Sequence, residues 1–216
     1  MTAARQITRM VGLLTVVVAV TEVTVVTVAG RLADRVYVSV AVCIALATTA
    51  LAILLARRRP ANLVAPLLSS MGLLAGLVAF SDTYLPARTR HPSLPDLPDV
   101  ASALLSVTWI WLYVAVALLM LVFPDGRLPG RSWRWVAAGL PAVGLATQVV
   151  MVTSPGTYDS PYEAVRHPFG DLPADLATAA KALLFPTLVV LLLACAISLW
   201  VRFKHGDDVM CRDIGD

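Results

Sequence analysis

Six apolar stretches, each long enough to cross a bilayer, constrain this chain more than anything else in it. They run from about Met10 to Ala29, Val36 to Leu55, Leu63 to Phe80, Val100 to Phe123, Val136 to Val152 and Leu176 to Val201. A hydrocarbon core about 30 Å thick is crossed by roughly 20 helical residues. Inside it each unpaired backbone N–H or C=O costs several kcal/mol, so the spanning forms are helices or closed barrels. The first stretch is rich in Val and Thr and in water would favour a strand. In lipid a lone strand leaves its backbone unpaired, and the helix wins. The predicted fold is therefore all-α, a polytopic six-transmembrane-helix bundle over residues 1–201, with 202–216 as a short polar tail.

Composition agrees with lipid as the solvent. Only 14% of residues are charged and 58% are hydrophobic, against about 25% charged in soluble domains. The basic balance, with a pI near 9.0, does not indicate nucleic acid, because Lys and Arg recur in short clusters between spans instead of on one module. The N-terminus begins with a basic segment like a signal peptide. The apolar run behind it continues without an A-x-A-type cleavage site, so it reads as a retained first helix. Cys43, Cys195 and Cys211 form no C-x-x-C pair and read as packing residues. His91 and His167 fall in loops with no fixed set of convergent ligands. No metal and no cofactor is expected.

Between the fourth and fifth spans lies L-V-F-P-D-G-R-L-P-G-R-S-W-R-W, residues 121–135. Pro124, Asp125 and Gly126 read as a tight turn, since Pro presets φ and Gly accepts positive φ. Pro129-Gly130 is a second turn, and Arg127, Arg131 and Arg134 crowd the same segment, which belongs at a membrane surface. The N-terminus, the Arg57–Arg59 cluster, this connector and the tail hold eleven Lys and Arg, against six on the opposite side. The positive-inside tendency then puts both termini in the cytoplasm. Proline-rich loops from Leu85 to Asp99 and from Thr153 to Pro173 read as stiff outer covers.

Few residues inside the spans invite a functional reading. Glu22 is the acidic residue well within a span, and a carboxylate there usually faces the bundle interior or water. It reads as a proton- or cation-sensitive site or as the partner of a basic group, with Lys181 early in the sixth span as the candidate partner. The alternatives are a carboxyl wet at the interface and a snorkelling lysine. Gly72-x-x-x-Gly76 is a close-packing signature for a helix interface. Pro141 and Pro186 each remove a helical hydrogen bond and predict kinks. Trp109, Trp111, Trp133, Trp135 and Trp200 read mostly as interfacial anchors, with Trp109 and Trp111 deep enough to line a cavity.

There is no G-x-S-x-G, P-loop, H-E-x-x-H or glycine-rich nucleotide loop, so no enzyme is expected. One likeness does emerge from the motifs. Arg58-Arg59-Pro60-Ala61-Asn62-Leu63-Val64, a small-residue span, and then L-V-F-P-D-G-R-L-P-G-R-S-W-R resemble the membrane-embedded N-terminal sensor region of actinobacterial sensor histidine kinases, over about Arg57 to Trp135. The same connector also occurs in related multi-span membrane proteins. That family continues into a phospho-acceptor helix and an ATPase lobe. This sequence has no positions matching those catalytic residues, and none are carried over. The resemblance implies a bacterial inner-membrane protein, similar to a signal-input module without its catalytic core: a sensor acting on a membrane or cytoplasmic signalling partner, or a truncated remnant. A small transporter or channel subunit, and an assembly factor for a membrane complex, are the rival classes.

Overall fold

The computed structural model describes residues 3–29, 32–59, 62–158, 162 and 169–213, with side chains as far as Lys204. The elements are α1 (Ala3–Ala29), α2 (Leu32–Arg58), α3 (Val64–Arg90), α4 (Asp99–Ser106), α5 (Trp109–Val122), α6 (Trp133–Thr153) and α7 (Ala174–Asp213). Among the described residues there is no strand. Five helices are long and apolar enough to cross a membrane, and α4 with α5 meets the same test as a pair bent by 44°.

The helices are longer than their apolar cores. At 27 residues, each of α1 to α3 is about 40 Å long at 1.5 Å per residue, so their ends reach past a hydrocarbon layer of about 30 Å. Two expected boundaries move as a result. The third span continues through Pro86 to Arg90, where a loop was expected from Leu85. Here the Pro86 carbonyl accepts from Thr89 Oγ1 at 2.8 Å and from Arg90 Nε at 3.1 Å, so side chains help satisfy the final turn. Likewise α7 continues beyond the expected span end at Val201 to Asp213. Pro141 and Pro186 lie inside α6 and α7, which run through them unbroken.

The expected single helix from Val100 to Phe123 is broken at Val107–Thr108. There the backbone tightens to i→i−3 bonds, with Thr108 N–H on Leu105 O at 3.1 Å and Trp111 N–H on Thr108 O at 3.0 Å. Ser106 and Thr108 hydroxyls bond back to Ala103 O and Leu104 O at 2.9 and 3.0 Å. Hydroxyls that bond to the preceding turn bend helices, and two of them flank this break.

Helices α1, α2 and α3 pack on one another, α5, α6 and α7 form a second group, and α3 against α5 joins the two. The inner faces of the first group are small or polar and recur at alternating steps of four and three residues. On α1 these are Thr8, Gly12, Thr15, Ala19, Glu22 and Val26; on α3 they are Ala65, Ser69, Gly72, Gly76, Ala79 and Thr83. That spacing is the heptad seam of a left-handed helix pair. The large side chains point the other way: Leu13 is 69% exposed while Glu22 is fully buried. In lipid, association depends on close packing rather than on hiding leucine, so this inverted pattern is the one expected. The threonines on the seam bond their own helix, Thr8 to Ala4 O at 2.9 Å and Thr15 to Val11 O at 3.0 Å.

Gly72 and Gly76 face different neighbours. A Cβ on Gly72 would stand 2.8 Å from the Ala45 carbonyl oxygen of α2 and 2.7 Å from the Thr48 and Thr49 hydroxyls, whereas one on Gly76 would meet Val18 of α1 at 3.3 Å. The pair therefore seats α3 in the cleft between α1 and α2. In the second group α5 buries Ile110, Val114, Ala117 and Leu121 against Leu140, Val152, Leu188 and Cys195.

Substituting Gly72, whose Cβ would meet backbone, should accordingly cost much more than substituting Gly139. Gly72→Val should lower stability by about 1–3 kcal/mol, the usual penalty for overpacking. Gly139→Ala, with nothing within 4 Å of its Cβ position, should change it by less than about 0.5 kcal/mol. Denaturant-induced unfolding of the purified protein in mixed micelles would check both.

Candidate functional site

A polar cluster lies at the end of the bundle where α1 finishes and α2 begins. Asp82, eight residues before the end of α3, accepts from the Tyr37 hydroxyl of α2 at 2.8 Å and from the Tyr162 hydroxyl of the α6–α7 loop. Tyr162 also lies 3.2 Å from Ser81 Oγ. Both carboxylate oxygens of Asp82 therefore bond phenols from elements far apart in sequence. Burial, and then the hydrogen bond to Asp82, hold the Tyr162 hydroxyl above its ordinary value, so it remains a donor. Around this cluster Arg90 pairs with Asp34 at 3.7 Å, Arg88 with Asp96, and the Tyr84 hydroxyl donates to Pro95 O at 2.6 Å. These contacts fold the α3–α4 loop back onto α3.

Glu22 belongs to the same level. Parallel packing sets the register of α1 on α3: Ser69 Oγ donates to Thr8 O at 3.3 Å, an offset of 61 residues, and Gly76 meets Val18. Carried along the pair, that offset puts Glu22 beside the turn containing Ser81, Asp82 and Thr83. Tyr37 lies within electrostatic reach of Glu22 as well as of Asp82. Glu22 is 0% exposed, and neither of its carboxylate oxygens has a hydrogen-bond partner. A buried ionised carboxyl without partners is among the costliest groups in a protein. It must carry a proton, hold a cation, or wait for a donor to arrive.

Lys181, the basic partner expected for Glu22, is not brought to it. It lies on α7, which packs on α5 and α6, while α1 packs on α2 and α3. A half-buried lysine near the end of a span keeps its ammonium at the polar interface without a carboxylate. His91 is exposed, and His167 lies outside the described residues. Among the described residues no three acidic, His or Cys side chains converge as a metal set. Trp111 donates to Gln148 Oε1 of α6 at 2.6 Å. Trp109 stacks on Phe185 at 6.1 Å and lines an apolar groove of about 350 Å³ with Leu188 and Leu192.

The opposite end of the bundle is organised by the connector. Gly126 has φ +72°, and its N–H donates to Val122 O at 2.8 Å. It packs directly on Asn62: a Cβ there would be 2.0 Å from Asn62 Oδ1 and 3.1 Å from Leu63 N. Asn62 Oδ1 in turn accepts from Val64 N–H at 2.8 Å and so holds the start of α3. Arg202 of α7 closes the assembly by donating to Phe123 O at 2.7 Å and to Arg127 O at 3.2 Å. Asn62 of the R-R-P-x-N motif and Gly126 of the F-P-D-G-R motif thus meet in space. Pro124 and Asp125 form the exposed turn, and Arg127, Arg131 and Arg134 are exposed around it.

Sequence reading passed over Tyr37, Asp82, Tyr162 and Arg202. Asp82 falls just past the expected end of the third span at Phe80, whereas the helix continues to Arg90 and places this acid inside it. Gly126→Ala should destabilise the connector twice over, through positive φ at about 1–2 kcal/mol and through the collision with Asn62. Adding Asn62→Ala should relieve only the collision, and thermal unfolding of the two variants would separate the terms. No family model, curated protein or solved structure matches the chain.

Proposed function

We propose that this chain is a non-enzymatic membrane input module in which the Glu22–Tyr37–Asp82–Tyr162 cluster receives the signal and α7 delivers it. Glu22 carries the reading: it is fully buried on a helix seam, with both oxygens unpartnered, at the level of a second carboxylate. Such a group responds to its environment or remains a standing cost to stability, and groups of that kind in membrane spans mark proton and ion sites. The signal is a proton or a small monovalent cation arriving from the cluster's side of the membrane. This reading takes α4–α5 as one broken span, so that there are six crossings, and takes the cluster's side as the outer face. The arginine-rich connector then faces the cytoplasm, in keeping with positive-inside bias.

Transmission follows from what Tyr162 ties together. It links the α6–α7 loop to α3 through Asp82 and Ser81, so a change in the charge at Asp82 or Glu22 alters the tether at the outer end of α7. At the other end, Arg202 fixes α7 to the connector. A shift of α7 between these two ties is a motion a partner can read, and it agrees with the resemblance to a sensor input region. A proton-conducting protein would use the same orphan carboxyl, and the two readings differ in whether protons cross.

The test is a spin-label distance between position 135 on α6 and position 203 on α7 in liposomes, with native cysteines changed to serine. Stepping the outer pH from 7.5 to 5.5 should shift the distance distribution in the parent protein and leave it unchanged in Glu22→Gln and Asp82→Asn. An unresponsive parent, or variants that respond like it, would sink the sensor reading. Proton flux that disappears in Glu22→Gln would establish the conducting one.

A further inference from the structure

We infer that the connector forms a binding site for the headgroup of an anionic phospholipid, seated in the groove between Arg127, Arg131 and Arg134. This groove, about 550 Å³, is lined by those three arginines with Leu63 and Leu128, and no acidic residue is among its lining; Asp125 lines the adjoining groove with Arg127. Among the described residues none of the three arginines has a carboxylate partner. Three arginines without carboxylate partners around one groove favour an anion there, and a phosphate is the group whose geometry their planar forks match.

Two features favour a lipid over a soluble phosphate. The groove lies in the connector between α5 and α6, and Trp135, the residue after Arg134, is 82% exposed; exposed aromatic rings at span ends mark headgroup depth. The leucine lining suits the glycerol and first methylenes of a lipid, whereas an inorganic phosphate has no use for it. The site is also built in advance. Gly126 against Asn62 and Arg202 on the Arg127 carbonyl fix the turn, so little ordering remains for the ligand to impose. Basic groups at this depth attract anionic lipid; here they converge on one groove. Occupancy would brace the turn that holds α3 and α7 together. The inference is independent of the sensing role proposed for Glu22.

Native mass spectrometry of the full chain in detergent, with phosphatidylglycerol and phosphatidylcholine added in turn, would test it. The parent should retain phosphatidylglycerol at least ten-fold better than phosphatidylcholine. Arg127→Gln/Arg131→Gln should lose most of that preference, while Arg58→Gln/Arg59→Gln, which removes equal charge from the same end, should stay within two-fold of the parent. Gly130→Asp keeps every arginine, and its new Cβ would have only Trp133 near it, at 4.0 Å. It should likewise abolish the preference by adding a carboxylate at the groove, which covers the case in which the double variant fails to fold. Equal losses in the 58/59 control would reduce the effect to net charge and overturn the site. Displacement by millimolar glycerol phosphate would make the ligand a soluble phosphate ester and overturn the lipid assignment, as would a parent with no headgroup preference.

Discussion

Close approach between backbones is the constraint on which the rest of this structure depends. Lipid tails solvate a leucine as well as another leucine does, so helices in a bilayer gain by packing and hydrogen bonding instead of by escaping solvent. Here α3 comes so near α2 that Gly72 leaves no room for a methyl beside the Ala45 carbonyl. Every other part of the first helix group follows from that contact. It sets the register that brings Tyr37 to Asp82 and puts Glu22 level with both. It also explains why the seams carry Ala, Ser, Thr and Gly while Leu and Val face outward.

The same seam supplies the chemistry. A position lined by small residues lets the helices close over a carboxyl and offers no long basic side chain to neutralise it. Glu22 takes such a position among Ala19, Val26 and the small face of α3, and its burial there is complete. Asp82, at the same level, is treated differently: two phenols satisfy it, one of them Tyr162 of the α6–α7 loop. One carboxyl is answered and its neighbour is not. That contrast marks this end of the bundle, because groups tuned for function commonly sacrifice stability that an apolar residue would provide.

Two clasps at opposite ends hold the halves of the bundle together. At one end Tyr162 joins the α6–α7 loop to α3; at the other, Asn62, Gly126 and Arg202 join the start of α3, the connector and α7. Between them α3 meets α5 along the membrane interior. Because α3 takes part in both clasps, a displacement of α3 at one end is felt at the other. Helices transmit such displacements well, since their internal hydrogen bonds resist shortening, and packed interfaces shift between discrete arrangements instead of deforming smoothly.

The sequence by itself determined the solvent, the all-helical class and the approximate position of every apolar run, because hydrocarbon leaves the backbone so few options. It also marked Glu22, Gly72, Gly76 and the connector, since a charge, a small-residue spacing and a turn-rich arginine cluster are each visible locally. It misjudged where helices end, at Arg90 and Asp213, and it read one helix where Val107–Thr108 breaks it. Those boundaries depend on which side chain bonds which carbonyl, and composition does not record that. Tertiary structure alone decided the partners. Tyr37 and Tyr162 meet Asp82 across separations of 45 and 80 residues, Lys181 lies in the helix group that Glu22 does not touch, and Asn62 meets Gly126 from a motif distant in the chain. The physical reason is common to all of these: a pattern along one helix reveals which face is buried, whereas the neighbour against that face is set by register and packing among helices whose seams look alike.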